Sequence, residues 1–309
     1  MAKDDRVVFL IPCLNEEATI FGVVRDILDK FSYAEVLVGD NGSTDKTASE
    51  ATRAGAKVVS LKTRGKGLMM RRLFENAEAA CYVMVDGDAT YSISNAQMLI
   101  DEVLEGKVDM VIGSRSAIST ESYRPGHSLG NKILSSCFSM VTKTQINDCL
   151  SGYRVMSHRF VKTFVGRSTG FEIEVELNAH AAILGCSLSQ IQVPYFERPS
   201  NSVSKLNTYR DGVKILRRIL NLFKQFRPMQ TFSIVASPWL IASMIYLASF
   251  QISYVNHSTV KTGSIVAGTF CGLVGLNLLT VGLILKTLML HRQEQIRLVF
   301  IGIGKTYDK

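Results

Sequence analysis

Two long stretches without a charged residue constrain this chain before any motif is considered. Residues 229–260 hold no Asp, Glu, Lys or Arg, Lys261 interrupts, and residues 262–285 are again uncharged. Each stretch exceeds the ~20 apolar residues that cross the hydrocarbon core of a bilayer. Two buried core helices are the alternative, and length and lack of charge weigh against them. Membrane spans are therefore expected at about residues 231–253 and 262–287. Ser233, Ser237, Ser243 and Ser249 suit such spans, because small and weakly polar residues are common where membrane helices pack. Pro238 falls near the start of the first span, where a kink is tolerated. Arg217, Arg218, Lys224 and Arg227 precede the pair, Arg292, Arg297, Lys305 and Lys309 follow it, and the loop between has only Lys261. Positive residues stay on the cytoplasmic side. An integral protein of the cytoplasmic (inner) membrane is expected, with both termini and the N-terminal two-thirds in the cytoplasm. No signal peptide is expected, since MAKDDR leads straight into a strand-like run.

That N-terminal part alternates strands and helices. Strands are expected at residues 6–12, 35–40, 57–61, 81–85 and 109–113, and helices at 16–30, after the segment NGSTDKT (41–47) to Gly55, 67–80 and 94–105. Asn15 is read as the cap of the first helix. The alternation implies an α/β fold with a mainly parallel sheet covered by helices on both faces. Residues 148–154 read as a loop entering a strand, 170–184 as a helix closed by Gly185, and 188–195 as a strand. Glu172, Glu174 and Glu176 suit the dipole at the start of that helix. Residues 209–228 are amphipathic. Val213, Leu216, Leu220 and Phe223 form an apolar stripe, and Lys214, Arg217, Arg218 and Lys224 a basic side. A helix packed on a domain would show a similar stripe, but the position next to a membrane span favours lying in the interface. Three parts are thus expected: a catalytic domain at 1–208, an interface helix at 209–228, and a membrane part with a short cytoplasmic tail at 229–309.

The six cysteines are scattered without a C-x-x-C pair, which suits free cytosolic thiols. The five histidines show no metal spacing. The net charge is +8. A membrane surface and phosphate-bearing substrates account for it, with no nucleic acid, because the basic residues cluster beside the spans.

The chemistry concentrates where strands end. Val83, Met84 and Val85 run into Asp86-Gly87-Asp88. Such a triplet can be a turn, since Asp bonds its own backbone and Gly tolerates positive φ. It can also be a cation site, since Mg²⁺ is usually held by one or two carboxylates plus substrate phosphates. In open α/β sheets ligands bind beyond the carboxyl ends of the strands, and Asp40, Asp86 and Arg115 all fall there.

Four segments decide between the readings: IPCLNEE with Pro12, Asn15, Glu16 and Glu17; VGDNGSTDKT with Asp40; RGKG with Lys66; and VDGDATY with Asp86 and Asp88. In this order they resemble the family 2 glycosyltransferases of the GT-A (Rossmann-like) fold. The resemblance continues through GSR at 113–115, DCLSGYR at 148–154 and RPSNSVSKLNTYRDG at 198–212, and then meets the spans. The whole order is similar to the polyisoprenyl-phosphate glycosyltransferases, the group of dolichol-phosphate mannose synthase and its bacterial undecaprenyl-phosphate relatives. The resemblance implies inverting transfer of a sugar from a nucleotide sugar, with UDP favoured, to a polyprenyl phosphate. It implies Mg²⁺ or Mn²⁺ on Asp88 and Asp86, and donor contacts from Pro12, Asn15, Glu16, Asp40, Lys66 and Asp86. Arg115, Arg198 and Lys205 are expected to receive the acceptor phosphate. A homo-oligomer is expected. The family's usual D-D-G-S is Gly39-Asp40-Asn41-Gly42-Ser43 here, and Thr90 stands where a further metal-ligand side chain often follows.

The resemblance makes Asp148 the general base. A phosphate with a second pKa of ~6 is already largely ionised. It needs little base help, and an ionised Asp148 would repel it, so an orienting role and a loop-capping role stand beside the catalytic one. A processive polysaccharide synthase shares the core but carries a Q-x-x-R-W segment. The single tryptophan here, Trp239, lies inside the first span. A non-catalytic membrane scaffold would not need Asp40, Asp86, Asp88 and Asp148 together.

Overall fold

The computed structural model describes residues 6–117, 127–199, 208–257, 260 and 262–307. The first half builds strands β1 (Val7–Cys13), β2 (Glu35–Asp40), β3 (Lys57–Ser60), β4 (Cys81–Met84) and β5 (Met110–Ala117), with helices α1 (Ile20–Lys30), α2 (Thr47–Ala54), α3 (Lys66–Asn76) and α4 (Ala96–Leu104) between them. Helix α5 (His127–Thr142), strand β6 (Arg154–Ser157), helices α6 (His158–Thr163) and α7 (Ile173–Leu184) and strand β7 (Leu188–Tyr195) follow. Three helices end the chain: α8 (Thr208–Phe226), α9 (Pro228–His257) and α10 (Thr262–Tyr307).

The seven strands form one sheet in the order β3-β2-β1-β4-β6-β5-β7. All pairs are parallel except those made by β6, which runs antiparallel to both β4 and β5. The expected mainly parallel sheet is present. Burial on both faces explains why β1 and β4 read as unbroken apolar runs: Val7 to Ile11 and Cys81 to Met84 are each at most 1% exposed. The chain leaves β1 toward β2 and β3 on one side and returns to β4 on the other. That reversal opens the crevice beyond the carboxyl ends of β1 and β4 where α/β sheets take ligands.

Three local expectations change. Helix α1 starts at Ile20 instead of residue 16, so Asn15 is not its cap. Residues 158–163 and 127–142 are helical, where the sequence showed no regular pattern. The last helix does not end near residue 287 but runs on to Tyr307. Gly185 closes α7 as expected, in the left-handed region at φ 59°.

The chain divides into two compact units, Met1–Ile219 with Ile296–Lys309, and Leu220–Gln295. In the second unit, α9 and α10 are long and apolar enough to cross a bilayer. Their large side chains, among them Ile234, Ile245, Val266 and Leu276, are exposed over most of their length. The two helices meet along glycines: a Cβ at Gly268 would touch Leu247, one at Gly272 Ser243 and one at Gly275 Leu240. Ser243 Oγ donates to the Gly268 carbonyl at 2.7 Å. Small residues and a side-chain hydrogen bond are how apolar helices associate where no hydrophobic driving force separates them from lipid.

Gly39, next to the segment Asp40-Asn41-Gly42-Ser43, is fixed by packing. A Cβ there would stand 2.5 Å from Met69 Sδ and 3.0 Å from Leu73 Cδ1, so α3 leaves no room for a side chain at that position. Gly39→Ala should lower stability by about 1–3 kcal/mol through overpacking, read as a lower unfolding midpoint of the purified full chain. The double variant with Met69→Ala should regain much of that loss. A single variant as stable as the parent would contradict this packing.

Candidate active site

The acids of the D-G-D segment leave β4 where β1 ends. Gly87 faces Cys13 with no space for a side chain: a Cβ there would overlap Cys13 Sγ. Its carbonyl accepts from Thr19 Oγ1 at 2.7 Å, which ties the segment to the start of α1. Ala89 then adopts φ 60°, a left-handed conformation that costs a non-glycine residue on the order of 1 kcal/mol or more. The two carboxylates have different partners. Asp86 Oδ1 accepts from Lys66 Nζ at 2.7 Å. Asp88 Oδ1 accepts from Thr90 N and Thr90 Oγ1 at 3.1 and 2.6 Å, and its Oδ2 pairs with Arg198. Arg198 also reaches Glu16 Oε1 at 3.3 Å.

Lys66 stands at the start of α3 with its ammonium between two acids, Asp86 and Glu174, each at 2.7 Å. Burial lowers its pKa, but Asp86 and Glu174 outweigh burial and hold it above the ordinary lysine value. Glu174 is 3% exposed, and burial pushes its carboxyl above the usual range against the pull of Lys66. The ring of Phe171 lies 5.7 Å from the ammonium. The sequence places Glu174 where it suits the dipole at the start of α7, and the first turn is where it lies; the structure adds that α7 is buried around nearly its whole circumference and turns Glu174 and Glu176 inward. Two acids inside the run IEVELNAHAAIL were the available signal.

The other expected donor residues sort into two kinds. Asp40 is buried at the end of β2, where Oδ1 accepts from Ser43 N at 3.1 Å. Pro12 sits on β1 opposite Gly39, beyond the last β1–β4 pair. Asn15, at φ 52°, ties loops together: its Oδ1 accepts from Thr44 N at 2.8 Å and its N–H donates to Ser43 Oγ at 2.9 Å.

Asp148 and Arg115, read apart as base and phosphate ligand, are partners. Arg115 donates from Nε to Oδ2 at 2.8 Å, from Nη2 to Oδ1 at 2.7 Å and from its backbone N to Oδ2 at 3.1 Å. Asn131 Nδ2 adds a bond to Oδ1 at 2.9 Å. Burial pushes the Asp148 carboxyl up, but these donors outweigh it and hold it below the usual carboxylate range. Asp148 is therefore placed to aim Arg115, and poorly placed to take a proton at neutral pH. Tyr91, which the sequence reading also missed, joins the two halves of the site. Its hydroxyl accepts from Gly152 N at 3.0 Å, and its ring packs against Tyr153 and Tyr195. Gly152 in turn lies against the Asp86 carboxylate. Lys205 lies outside the described residues.

Among the described residues no group of three His, Cys, Asp or Glu side chains could hold a metal ion. Asp86 and Asp88 offer carboxylate oxygens only, flanking Gly87. Such a pair fits Mg²⁺ or Mn²⁺, which complete their shell with phosphate oxygens and water.

The profile of Glycosyl transferase family 2 matches residues 8–164. Glycosyltransferase AglJ of Haloferax volcanii is 32% identical over 309 residues, covering 96% of this chain and 99% of the relative. A dolichyl-phosphate hexose transferase of the same organism is 25% identical over 221 residues, 71% of this chain and 94% of that protein. Glucosyl-3-phosphoglycerate synthase from Mycobacterium tuberculosis, solved with Mn²⁺, UDP-glucose and phosphoglyceric acid, superposes with a TM-score of 0.58 at 20% identity. The match covers 71% of this chain and 80% of that one. The sheet and helices described above are those of the GT-A fold.

Because the Asp148 carboxyl is depressed in the folded chain, its contribution to stability is present above the unfolded value of ~3.9 and is lost as pH falls through the folded value. Arg115→Gln leaves a buried carboxylate without its cation, at a cost of about 3–5 kcal/mol. Its carboxyl then rises, so the deficit against the parent should be largest at neutral pH and shrink on acidification. Unfolding midpoints of both proteins from pH 7 to 4 check this, and a deficit that does not change with pH would contradict it.

Proposed function

The chain belongs to glycosyl transferase family 2, and from that premise we propose that it transfers a sugar, with inversion, from a UDP-hexose or UDP-N-acetylhexosamine to a polyprenyl phosphate. The observation that carries the proposal is the pairing of Asp86 and Asp88 with Lys66 and Arg198. Two acids that fit a divalent cation and two cations that fit phosphate are gathered at one sheet edge, in a chain with two helices able to cross a bilayer. The similarity to a dolichyl-phosphate hexose transferase supports a lipid acceptor.

In this reading Asp88 and Asp86 hold Mg²⁺ or Mn²⁺, which supplies Lewis-acid stabilisation of the charge gathering on the departing nucleoside diphosphate. Asp40, with Pro12, Asn15 and Glu16 shaping the floor, receives the nucleoside. Lys66 meets the diphosphate as a point charge on a rigid helix start. Arg115, aimed by Asp148, offers a planar fork to the acceptor phosphate, joined by Arg198 and Lys205. Of the three roles open to Asp148, orienting Arg115 is the one supported by three hydrogen bonds from Arg115 and a depressed carboxyl. An acceptor phosphate ionised at neutral pH can attack without a protein base.

The membrane arrangement completes the proposal. Helix α8 has an outer stripe of Val213, Leu216 and Leu220, 66%, 41% and 60% exposed, beside the exposed Lys214 and Arg217. This face suits the lipid interface. The catalytic part and both termini lie in the cytoplasm, where the flanking positive charges hold them.

Two experiments test the reading. Purified chain, a nucleotide-sugar panel, Mn²⁺ and a short polyprenyl phosphate should give a sugar-phosphate lipid. Asp88→Asn should keep the fold and lose about 10²–10³-fold in turnover, as expected when a charge aimed at the leaving group is removed. Near-parental turnover at saturating metal would remove Asp88 from the metal site. In intact cells, an impermeant thiol reagent should label a cysteine placed next to His257 and spare one next to Lys305. The opposite pattern would invert the topology.

A further inference from the structure

Arg218 has the sequence position of a headgroup ligand, among the basic residues of an amphipathic helix. The structure turns it inward. It is 24% exposed and donates from Nη2 to Glu176 Oε1. Glu176 is 5% exposed, and its second oxygen accepts the backbone N–H groups of Arg167 and Ser168 at 2.8 and 3.0 Å. One carboxylate therefore holds α8 with one oxygen and the loop after α6 with the other.

That loop clasps the start of α3. Gly67 N donates to the Thr169 carbonyl at 3.1 Å, and Arg71 Nη1 donates to the Gly166 and Ser168 carbonyls at 2.9 and 3.2 Å. The approach is close enough that a Cβ on Gly65 would overlap Thr169 O, and one on Gly67 would overlap Ser168 O. Between these two glycines stands Lys66, its ammonium fixed on Asp86 and Glu174. The path from α8 to the donor acids thus runs through one ion pair and a short, tightly held loop. Apolar contacts already seat α8, since Ile215 and Ile219 are 2% and 1% exposed. A buried ion pair is a weak source of stability beside such contacts, but it fixes direction.

We infer that Arg218 and Glu176 are positioning residues for the donor site, through which the seat of α8 on the catalytic unit sets the place of Lys66. The inference rests on the reading of Lys66 as a diphosphate ligand. A displacement of about 1 Å in such a group is enough to cost up to a hundredfold in a reaction. It also gives α8 two duties on two faces: Val213 and Leu216 outward, and Arg218 inward to the nucleotide.

The test uses the full chain in phospholipid nanodiscs, with UDP and Mn²⁺ as the binding probe. Arg218→Ala should weaken UDP binding about tenfold, the loss of one well-aimed charge-assisted contact. It should leave KM for the polyprenyl phosphate within about twofold. Arg218→Lys keeps a cation for Glu176 and should recover most of the affinity, a rescue that simple loss of packing would not show. Glu176→Gln keeps the volume and should behave like Arg218→Ala, and it decides the matter if Arg218→Ala does not fold. A raised lipid KM with unchanged UDP affinity would mean that Arg218 serves headgroups, and the inference would be wrong. Unchanged UDP affinity in a folded Glu176→Gln would overturn it as well. If the parent chain binds UDP and a Lys66→Ala chain binds it equally well, the fault lies in the reading of Lys66 and the inference falls with it.

Discussion

A carboxylate removed from water is costly unless it meets positive charge or hydrogen-bond donors, and most of the buried acids of the catalytic unit meet a cation. Asp86 is met by Lys66, Asp88 and Glu16 by Arg198, Asp148 by Arg115, Asp109 by Arg159 and Glu176 by Arg218. The partners are distant in sequence, from 20 residues for Lys66 and Asp86 to 182 for Arg198 and Glu16. Each pair therefore closes a long loop while it neutralises an acid. Arg154 follows a different rule. It is wholly buried and, among the described residues, has no carboxylate within ion-pair reach. Burial lowers its pKa, and its guanidinium is satisfied by the carbonyls of Cys149 and Ser151 and the amide oxygen of Asn178. The loop that carries Asp148 is thus braced from below by an arginine and gripped from above by another.

The parts of this arrangement that could be read from sequence are those set by local periodicity. Strands β1, β2 and β4 were legible because burial on both faces demands unbroken apolar runs. Asp40, Asp86 and Asp88 were legible because they interrupt such runs at the strand ends. Strand β6 has four residues, one of them the buried Arg154, and its antiparallel course between β4 and β5 is a property of the whole sheet. Asn15 looked like a helix cap because it precedes a helix. Its role is set by Thr44, 29 residues away, which no local pattern reveals. The same holds for Glu174 and Glu176. Acids at a helix start are usually solvated, and only the packing of α7 on all sides shows that these two are not.

Helix α8 shows why an amphipathic stripe is an ambiguous signal. The sequence offered one apolar stripe and two readings, a helix on the domain or a helix on the membrane. In the structure Ile215 and Ile219 are buried, while Val213 and Leu216 remain exposed on another side, the side proposed to meet the lipid. A single stripe was visible because the two sets of aliphatic residues interleave along the helix. The basic residues divide in the same way, with Arg217 outward and Arg218 inward.

The catalytic unit is not continuous in sequence. Its last piece is the end of α10, from Ile296 onward. There Phe300, 7% exposed, lies under the Arg159 guanidinium at 4.6 Å, and Arg159 is itself held by Asp109 at the edge of β5. A ribosome delivers the chain from its N-terminus. The sheet and its acids are therefore synthesised well before the segment that covers Arg159, and both long apolar helices must emerge in between. Assembly of the enzyme is in this way ordered in time: the catalytic unit can be completed only after the hairpin has been made.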